Sequence, residues 1–299
     1  MNLLSKVINW GLVSSLIVVS AMISMKSYES NNQIIVDPNM PLIASYNEVQ
    51  SAPPNPKRGE EWAYYLQSSV RIRNGNIGGS GTICYYDKAT NWAYIISCGH
   101  LFDGNMRPGQ NGTKQVKIEM FYKNNELLSA PKAYTADVIC YDNDEDISFL
   151  KFRPDWEIEH WFPIASKNYL IEIGQKYEST GCDHLTDAAA YSVEIIDNGT
   201  QERSLQTKFN SPRPGRSGGA LLSNDGYYIA IVWGTSNYDG TGIGFYVPLR
   251  RIHAYALQFP DVAWLLNVNK PIQFIESTSL IEDGVKKIAP RGFIPIPKK

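Results

Sequence analysis

From residue 62 onward the chain is broken into short apolar runs, each closed by a turn, and this punctuation limits what it can fold into. Residues 69–73 alternate apolar and polar and stop at Asn74-Gly75. Residues 81–86 run to a polar turn at 87–91, and residues 92–97 follow at once. The stretches 116–122 and 136–141 alternate too, and 147–152, 192–196, 220–222, 227–233 and 244–247 complete the series. A period of two closed by turn residues marks strands, and many short strands at this spacing predict a sandwich or barrels. The persuasive helical stretch is 249–258, which stops ahead of Phe259-Pro260. An aromatic content of 12%, with 18 tyrosines, suits the same class.

Composition narrows the function classes. At 43% apolar residues, the 299-residue chain can bury an ample core and is not a disordered one. Four cysteines are too few for a disulfide-dense scaffold. A net charge of −2 leaves no basic footprint, so nucleic acid is not an expected partner.

The first part of the chain reads as targeting rather than fold. Residues 7–25 are uncharged and mostly apolar, with Lys6 before them and Lys26 after. That pattern fits a signal peptide, cut near Val19-Ser20-Ala21, or an N-terminal membrane anchor. Either reading exports the bulk of the chain, as a secreted, periplasmic or membrane-attached protein. Residues 26–60 read as a linker, extended around Ser51-Ala52-Pro53-Pro54-Asn55-Pro56.

Three segments carry chemistry. Ser97-Cys98-Gly99-His100-Leu101 follows an apolar strand, Asp144-Glu145-Asp146 runs into another, and Pro214-Gly215-Arg216-Ser217-Gly218-Gly219 precedes a third. Each has an ordinary reading by itself: a structural histidine, a solvated acidic turn, a glycine loop. Together they supply what a nucleophilic serine needs. A serine hydroxyl requires a base for its proton, and the base requires a carboxylate that holds its tautomer and stabilises the imidazolium. The glycines let the backbone turn sharply and present its N–H groups.

These segments resemble the three signature blocks of trypsin-like, chymotrypsin-fold serine proteases. Asp146-Ile147-Ser148-Phe149-Leu150 is similar to the family's Asp-Ile-Ala-Leu block, and Gly215-Arg216-Ser217-Gly218-Gly219 to Gly-Asp-Ser-Gly-Gly. Gly79-Ser80-Gly81-Thr82 and Val232-Trp233-Gly234 resemble the strands before the histidine and beside the substrate, and residues 242–248 resemble the last strand of the bacterial Deg-type branch. The resemblance implies an all-β fold of two packed six-stranded antiparallel barrels with a short C-terminal helix. Barrel one would span about 61–155 and barrel two about 156–250, within a catalytic domain of 61–260 followed by an extension at 261–299. It implies a serine endopeptidase acting on peptide or protein substrates, with no cofactor and no resident metal. Ser217 would be the nucleophile, His100 the base and Asp146 its orienting carboxylate. The N–H groups of Gly215 and Ser217 would form the oxyanion hole, and Ser211, Val232, Trp233 and Gly234 would contact substrate.

Departures from the family pattern sharpen the reading. Arg216 replaces the aspartate that pairs with a newly cut N-terminus in digestive members, so no zymogen switch of that kind is expected. Ser211 is neutral, which argues against a strict Lys or Arg preference and suggests an apolar or small side chain. The relatives imply a Cys84–Cys98 disulfide, leaving Cys140 with Cys182, although four free thiols remain an alternative. Cys182 and His184 lack the partners of a zinc pattern. Asp142, Asp144 and Asp146 lack the Gly and Glu of an EF-hand loop. Gly-x-Ser-x-Gly also fits an α/β-hydrolase elbow, but the turn at 223–226 leaves no room for its helix. The rival from another class is a catalytically silent binding module on the same fold.

Overall fold

A computed structural model describes residues 56–268, apart from 103, 108–113, 200–203 and 238. The export segment, nearly all of the linker and most of the 261–299 extension lie outside the described residues. Barrel one comprises β1 (Ser69–Asn74), β2 (Ile77–Asp87), β3 (Trp92–Ser97), β4 (Asn105–Met106), β5 (Gln115–Lys123), β6 (Glu126–Asp142) and β7 (Ile147–Phe152). Six of these close in the order β6-β5-β1-β2-β3-β7, with β7 returning to β6, and β4 adds to the side of β6. Barrel two comprises β8 (Lys176–Gly181), β9 (Ala189–Asp197), β10 (Leu205–Lys208), β11 (Ala220–Leu222), β12 (Tyr228–Thr235) and β13 (Gly244–Pro248). It closes in the order β10-β13-β12-β11-β8-β9. All pairings between these strands are antiparallel, so the fold is the pair of six-stranded barrels that the motifs imply.

Helices are short. α1 (Ala63–Leu66) precedes β1, and α2 (Leu249–Ala256) and α3 (Pro260–Ala263) follow β13. α2 starts straight after Pro248, whose extended backbone ends the strand. One face buries Leu249, Ile252, Tyr255 and Ala256, each large apolar side chain contributing roughly 1.5–3 kcal/mol. His253 on the same face bonds through Nε2 to the Ala165 carbonyl at 2.8 Å. Beyond α3, Trp264 packs edge-on against Tyr85 and Tyr94 and returns the chain to barrel one.

The barrels meet through polar as well as apolar contacts. In β1, Val70 and Ile72 point into the barrel, yet Arg71 on the other face is also buried, because that face meets barrel two. Arg71 Nη1 donates to the Leu185 carbonyl at 2.6 Å, and its Nε donates to Glu119 on β5 at 2.6 Å. Arg73 adds a second donor to the same Glu119 oxygen at 2.9 Å. A carboxylate facing two guanidiniums in a buried place is the stable way to bring these charges out of water.

The cysteines correct one expectation. Cys84, Cys98, Cys140 and Cys182 are all free and buried, and neither implied disulfide forms. The β2–β3 register sets Thr82 against Ile96 and Tyr85 against Tyr94. Cys98 therefore lies beyond Cys84 by three to four residues of strand, roughly 12 Å at the usual rise, whereas a disulfide spans a Cα separation under about 7 Å. Cys140 and Cys182 belong to separate apolar clusters. Burial pushes the thiols of Cys84, Cys140 and Cys182 up to about 12, so they stay protonated and act as small apolar fillers.

Burial alone would raise the Glu119 carboxyl, but the hydrogen bonds and charges of Arg71 and Arg73 overcome it and hold it down at about 2. A folded pKa below the unfolded one stabilises the fold above about pH 4.5, and this stabilisation is lost as pH falls towards 2. Glu119→Gln is expected to lower stability by about 2 kcal/mol at pH 7 and to close most of that gap near pH 2. Denaturant unfolding at both pH values checks this, and an equal gap at the two would refute it.

Candidate active site

His100 stands in the turn that follows β3, and Asp146 sits immediately before β7 in the left-handed region, with φ +54. β3 and β7 are hydrogen-bonded neighbours, with Ser97 opposite Ser148, so the two residues meet at the same barrel end. Asp146 is 4% exposed, and its carboxylate is filled by three donors. Oδ1 accepts the backbone N–H groups of Gly99 and His100, each at 2.9 Å. His100 Nδ1 lies 2.9 Å from Oδ1 and 3.1 Å from Oδ2. In the neutral imidazole a carboxylate in this place makes Nδ1 the protonated nitrogen and Nε2 the acceptor.

The acidic loop is itself held from outside. Asp142 Oδ1 accepts the N–H groups of Asp144 and Glu145. Arg251 of α2 donates to the Asp144 and Glu145 carbonyls at 3.1 and 3.0 Å. The unfavourable φ of Asp146 persists because both sides of the loop are pinned. The Asp142 and Asp146 carboxylates are thus occupied with backbone N–H groups and the imidazole, and Glu145 Oε2 accepts from Arg251 Nε at 3.1 Å.

Burial lowers the basicity of His100, but the hydrogen bonds with Asp146 and Cys98 outweigh it, so the imidazole pKa is raised above its usual 6.5. Nε2 faces Cys98 Sγ at 3.6 Å.

Ser217 lies in the tight turn before β11. Its carbonyl accepts from Ser80 N of β2 at 2.7 Å. Next to it, Gly218 has φ +84, and a Cβ there would fall 2.1 Å from Ser97 Oγ and 3.0 Å from Cys98 N. Only glycine lets the Ser217 turn lie against the His100 turn. The Ser217 hydroxyl points to the Trp233 carbonyl at 3.5 Å rather than to His100. The structure therefore joins His100 to Asp146, brings Ser217 to the same edge and leaves the serine–histidine bond open, as happens in substrate-free sites. A strand, not a helix, follows the serine, which disposes of the hydrolase elbow.

Gly215 has φ +94, and a Cβ there would meet Cys182 O at 2.5 Å and Leu185 N at 2.7 Å. The Pro214 carbonyl accepts from His184 N at 2.5 Å. In a planar trans peptide C=O and N–H point opposite ways, so this bond turns the Gly215 N–H away from the 183–185 turn. Arg213 O is likewise taken, by Arg216 N at 3.0 Å. Arg216 explains why the turn stays there. It is 0% exposed, and its guanidinium holds Asp183 with both prongs, Nε to Oδ1 at 2.6 Å and Nη2 to Oδ2 at 2.5 Å. Nη1 donates to Asn210 O at 2.8 Å, and the guanidinium stacks over Tyr191 at 3.6 Å. Ser80 Oγ ties the loop to barrel one, donating to Gly215 O at 2.7 Å and accepting from Cys182 N at 2.8 Å.

The family described as "Trypsin-like peptidase domain" has a sequence model that matches residues 79–231, which covers His100, Asp146 and Ser217. The chain belongs to the trypsin-like peptidase family. Two curated relatives are each named "Serine protease Do-like HtrA". One, from Lactococcus lactis subsp. cremoris (strain MG1363), is 27% identical over 191 residues, 57% of this chain and 42% of the relative. The other, from Lactococcus lactis subsp. lactis (strain IL1403), is also 27% identical and is covered over 41% of its length. The chain thus spans about two fifths of these relatives. Among solved structures, "Crystal structure of the serine endoprotease from Yersinia pestis" aligns with TM-score 0.48 and 19% identity, over 70% of this chain and 66% of that one.

The remaining trypsin-like positions fall around the same edge. Val232 is buried and exchanges backbone hydrogen bonds with the turn, Gly218 N to Val232 O and Val232 N to Gly219 O, both 2.8 Å. The β12–β13 register shifts between Val232 and Gly234, and Trp233 is left 45% exposed against Phe245. Ser211 is buried, with its hydroxyl 3.5 Å from the Asn237 carbonyl. Asp183 is what sequence reasoning missed. The signal was present, since an arginine inside a buried turn demands a carboxylate, but nothing local marks which one answers.

Asp183→Asn is expected to lower kcat for peptide hydrolysis by about 10²–10³-fold, the loss typical of one oxyanion donor, with little change in KM. Ser80→Ala, which frees Gly215 O without uncovering a charge, is the milder companion and is expected to move kcat the same way. A loss confined to KM would refute this role for the clamp.

Proposed function

We propose that the chain is a serine endopeptidase that cleaves peptide bonds through His100, Asp146 and Ser217 and an acyl-enzyme intermediate. The observation that supports this best is the Asp146 carboxylate, which holds His100 Nδ1 and the backbone beneath it at once. Ser217 Oγ attacks the scissile carbonyl while His100 Nε2 takes its proton. Asp146 stabilises the imidazolium, and the Gly215 and Ser217 N–H groups receive the developing oxyanion, usually a term of several kcal/mol. The imidazolium then gives its proton to the leaving amine, and the acyl-serine remains. Water repeats the cycle: His100 accepts its proton, the acid product departs, and Ser217 regains its hydrogen.

Substrate backbone would lie along Val232, Trp233 and Gly234. A neutral Ser211 supports acceptance of apolar or small side chains over Lys or Arg. Residues 7–25 support export or membrane attachment, with the catalytic barrels outside the cytoplasm. Among the described residues no helix is long and apolar enough to cross a membrane. The second reading, a silent binding module, draws on one observation: the Ser217 hydroxyl faces Trp233 O instead of His100.

Labelling with a fluorophosphonate probe tests the reading. The native chain is expected to label and to hydrolyse peptides, and Ser217→Ala to lose both. No labelling of the native chain would favour the binding module. The base must be neutral to act, and Asp146 and Cys98 raise the imidazole pKa. The acid limb of kcat/KM is therefore expected above pH 6.5, the unperturbed histidine value. A limb below that would contradict the observed pairing.

A further inference from the structure

We propose that Cys98 Sγ and His100 Nε2 form a site for a thiophilic divalent cation of the zinc class, which blocks the base when occupied. The separation of the two atoms is 3.6 Å. A tetrahedral zinc ion sits about 2.3 Å from a thiolate sulfur and about 2.0–2.1 Å from an imidazole nitrogen, which sets the two ligands about 3.6 Å apart. The pair already stands at that spacing, so the ion needs no backbone movement.

The outer arrangement also fits. Metal-bound histidines pass their other N–H to a carboxylate, which fixes the tautomer and strengthens the ligand. Asp146 does this on Nδ1 at 2.9 Å, and the ligand atoms of all three residues lie within 4.8 Å of one another. The remaining positions on the ion fall to water. Cys98 itself is 0% exposed, but the His100 side chain above it is 40% exposed and opens the path to solvent. A thiolate with an imidazole selects zinc-like ions over magnesium or calcium. Binding replaces the Cys98 S–H bond with an S–metal bond, and the thiol proton leaves to solvent. The ion occupies the one lone pair of neutral Nε2, which is the atom that must take the Ser217 proton. No step of peptide hydrolysis forms or breaks a bond at the Cys98 sulfur.

The inhibitory consequence rests on the peptidase reading, while the binding does not. The full chain carrying Ser217→Ala is titrated with Co²⁺, read by thiolate-to-cobalt charge-transfer absorption in the near ultraviolet. One equivalent is expected, displaced by Zn²⁺, with the band lost when Cys98→Ala is added. Asp146→Asn in the same background is expected to weaken binding by about 10–100-fold. In the Ser217-containing chain, Zn²⁺ is expected to suppress turnover, a chelator to restore it, and Cys98→Ala to abolish the difference between the two conditions. Absence of the thiolate band, or cobalt binding and zinc inhibition unchanged by Cys98→Ala, would overturn the site as an adventitious surface ion only. A cobalt band on loading, in a chain that shows no turnover when freed of metal, would uphold the site and fail the peptidase reading instead.

Discussion

The buried ion pair between Arg216 and Asp183 organises the loop on which the candidate chemistry depends. A guanidinium with no exposure to water is tolerable only when charge and hydrogen bonds compensate its lost hydration. Asp183, Asn210 O and the Tyr191 ring together provide that compensation. Removing one partner of such a pair costs roughly 3–5 kcal/mol, a large share of a typical domain's 5–15 kcal/mol. The pair is better understood as a device for conformation than as net stability. It holds the 183–185 turn against the 214–217 loop, and the turn's His184 N–H captures the Pro214 carbonyl. His184 and Leu185 accept left-handed φ angles of 52° and 57° to do so. The partner of the Arg216 charge is resident in the same barrel.

The interface between barrels is the second organising element. Ser80 alone touches the other barrel at three points, through its N–H, its hydroxyl as donor and its hydroxyl as acceptor. Arg71 adds a fourth tie at Leu185 O. The loop with Ser217 is thus referenced to β2, which pairs with β3, which leads into the His100 turn. The placing of Ser217 and His100 at one edge across two barrels follows from this short chain of contacts. On the far side, α2 reaches back from the end of barrel two to hold the Asp146 loop through Arg251.

Much of this was legible from residue order. Alternating runs such as 69–73 and 116–122 announced strands, because a pleated strand with one buried face imposes a period of two. Residues 249–258 read as helix and are helical over Leu249–Ala256. His100, Asp146 and Ser217 stood out because their flanking glycines and apolar residues serve backbone needs that are local. Spacing leaves open whether the cysteines pair or stay free, because pairing depends on strand register, which spacing along the chain does not reveal. Asp183 was passed over for the same kind of reason: its partner lies 33 residues away in sequence.

The sequence by itself determined the class of fold, the three candidate groups and the need for glycine at the Ser217 turn. These follow from side-chain periodicity, functional-group identity and backbone sterics, which are carried by neighbours along the chain. Tertiary structure alone decided which carboxylate answers Arg216, which way the Pro214–Gly215 peptide faces, and that Cys98 stands beside Nε2 rather than in a disulfide. Those outcomes turn on distances of a few ångströms between segments far apart in sequence, and only the closed barrels set them.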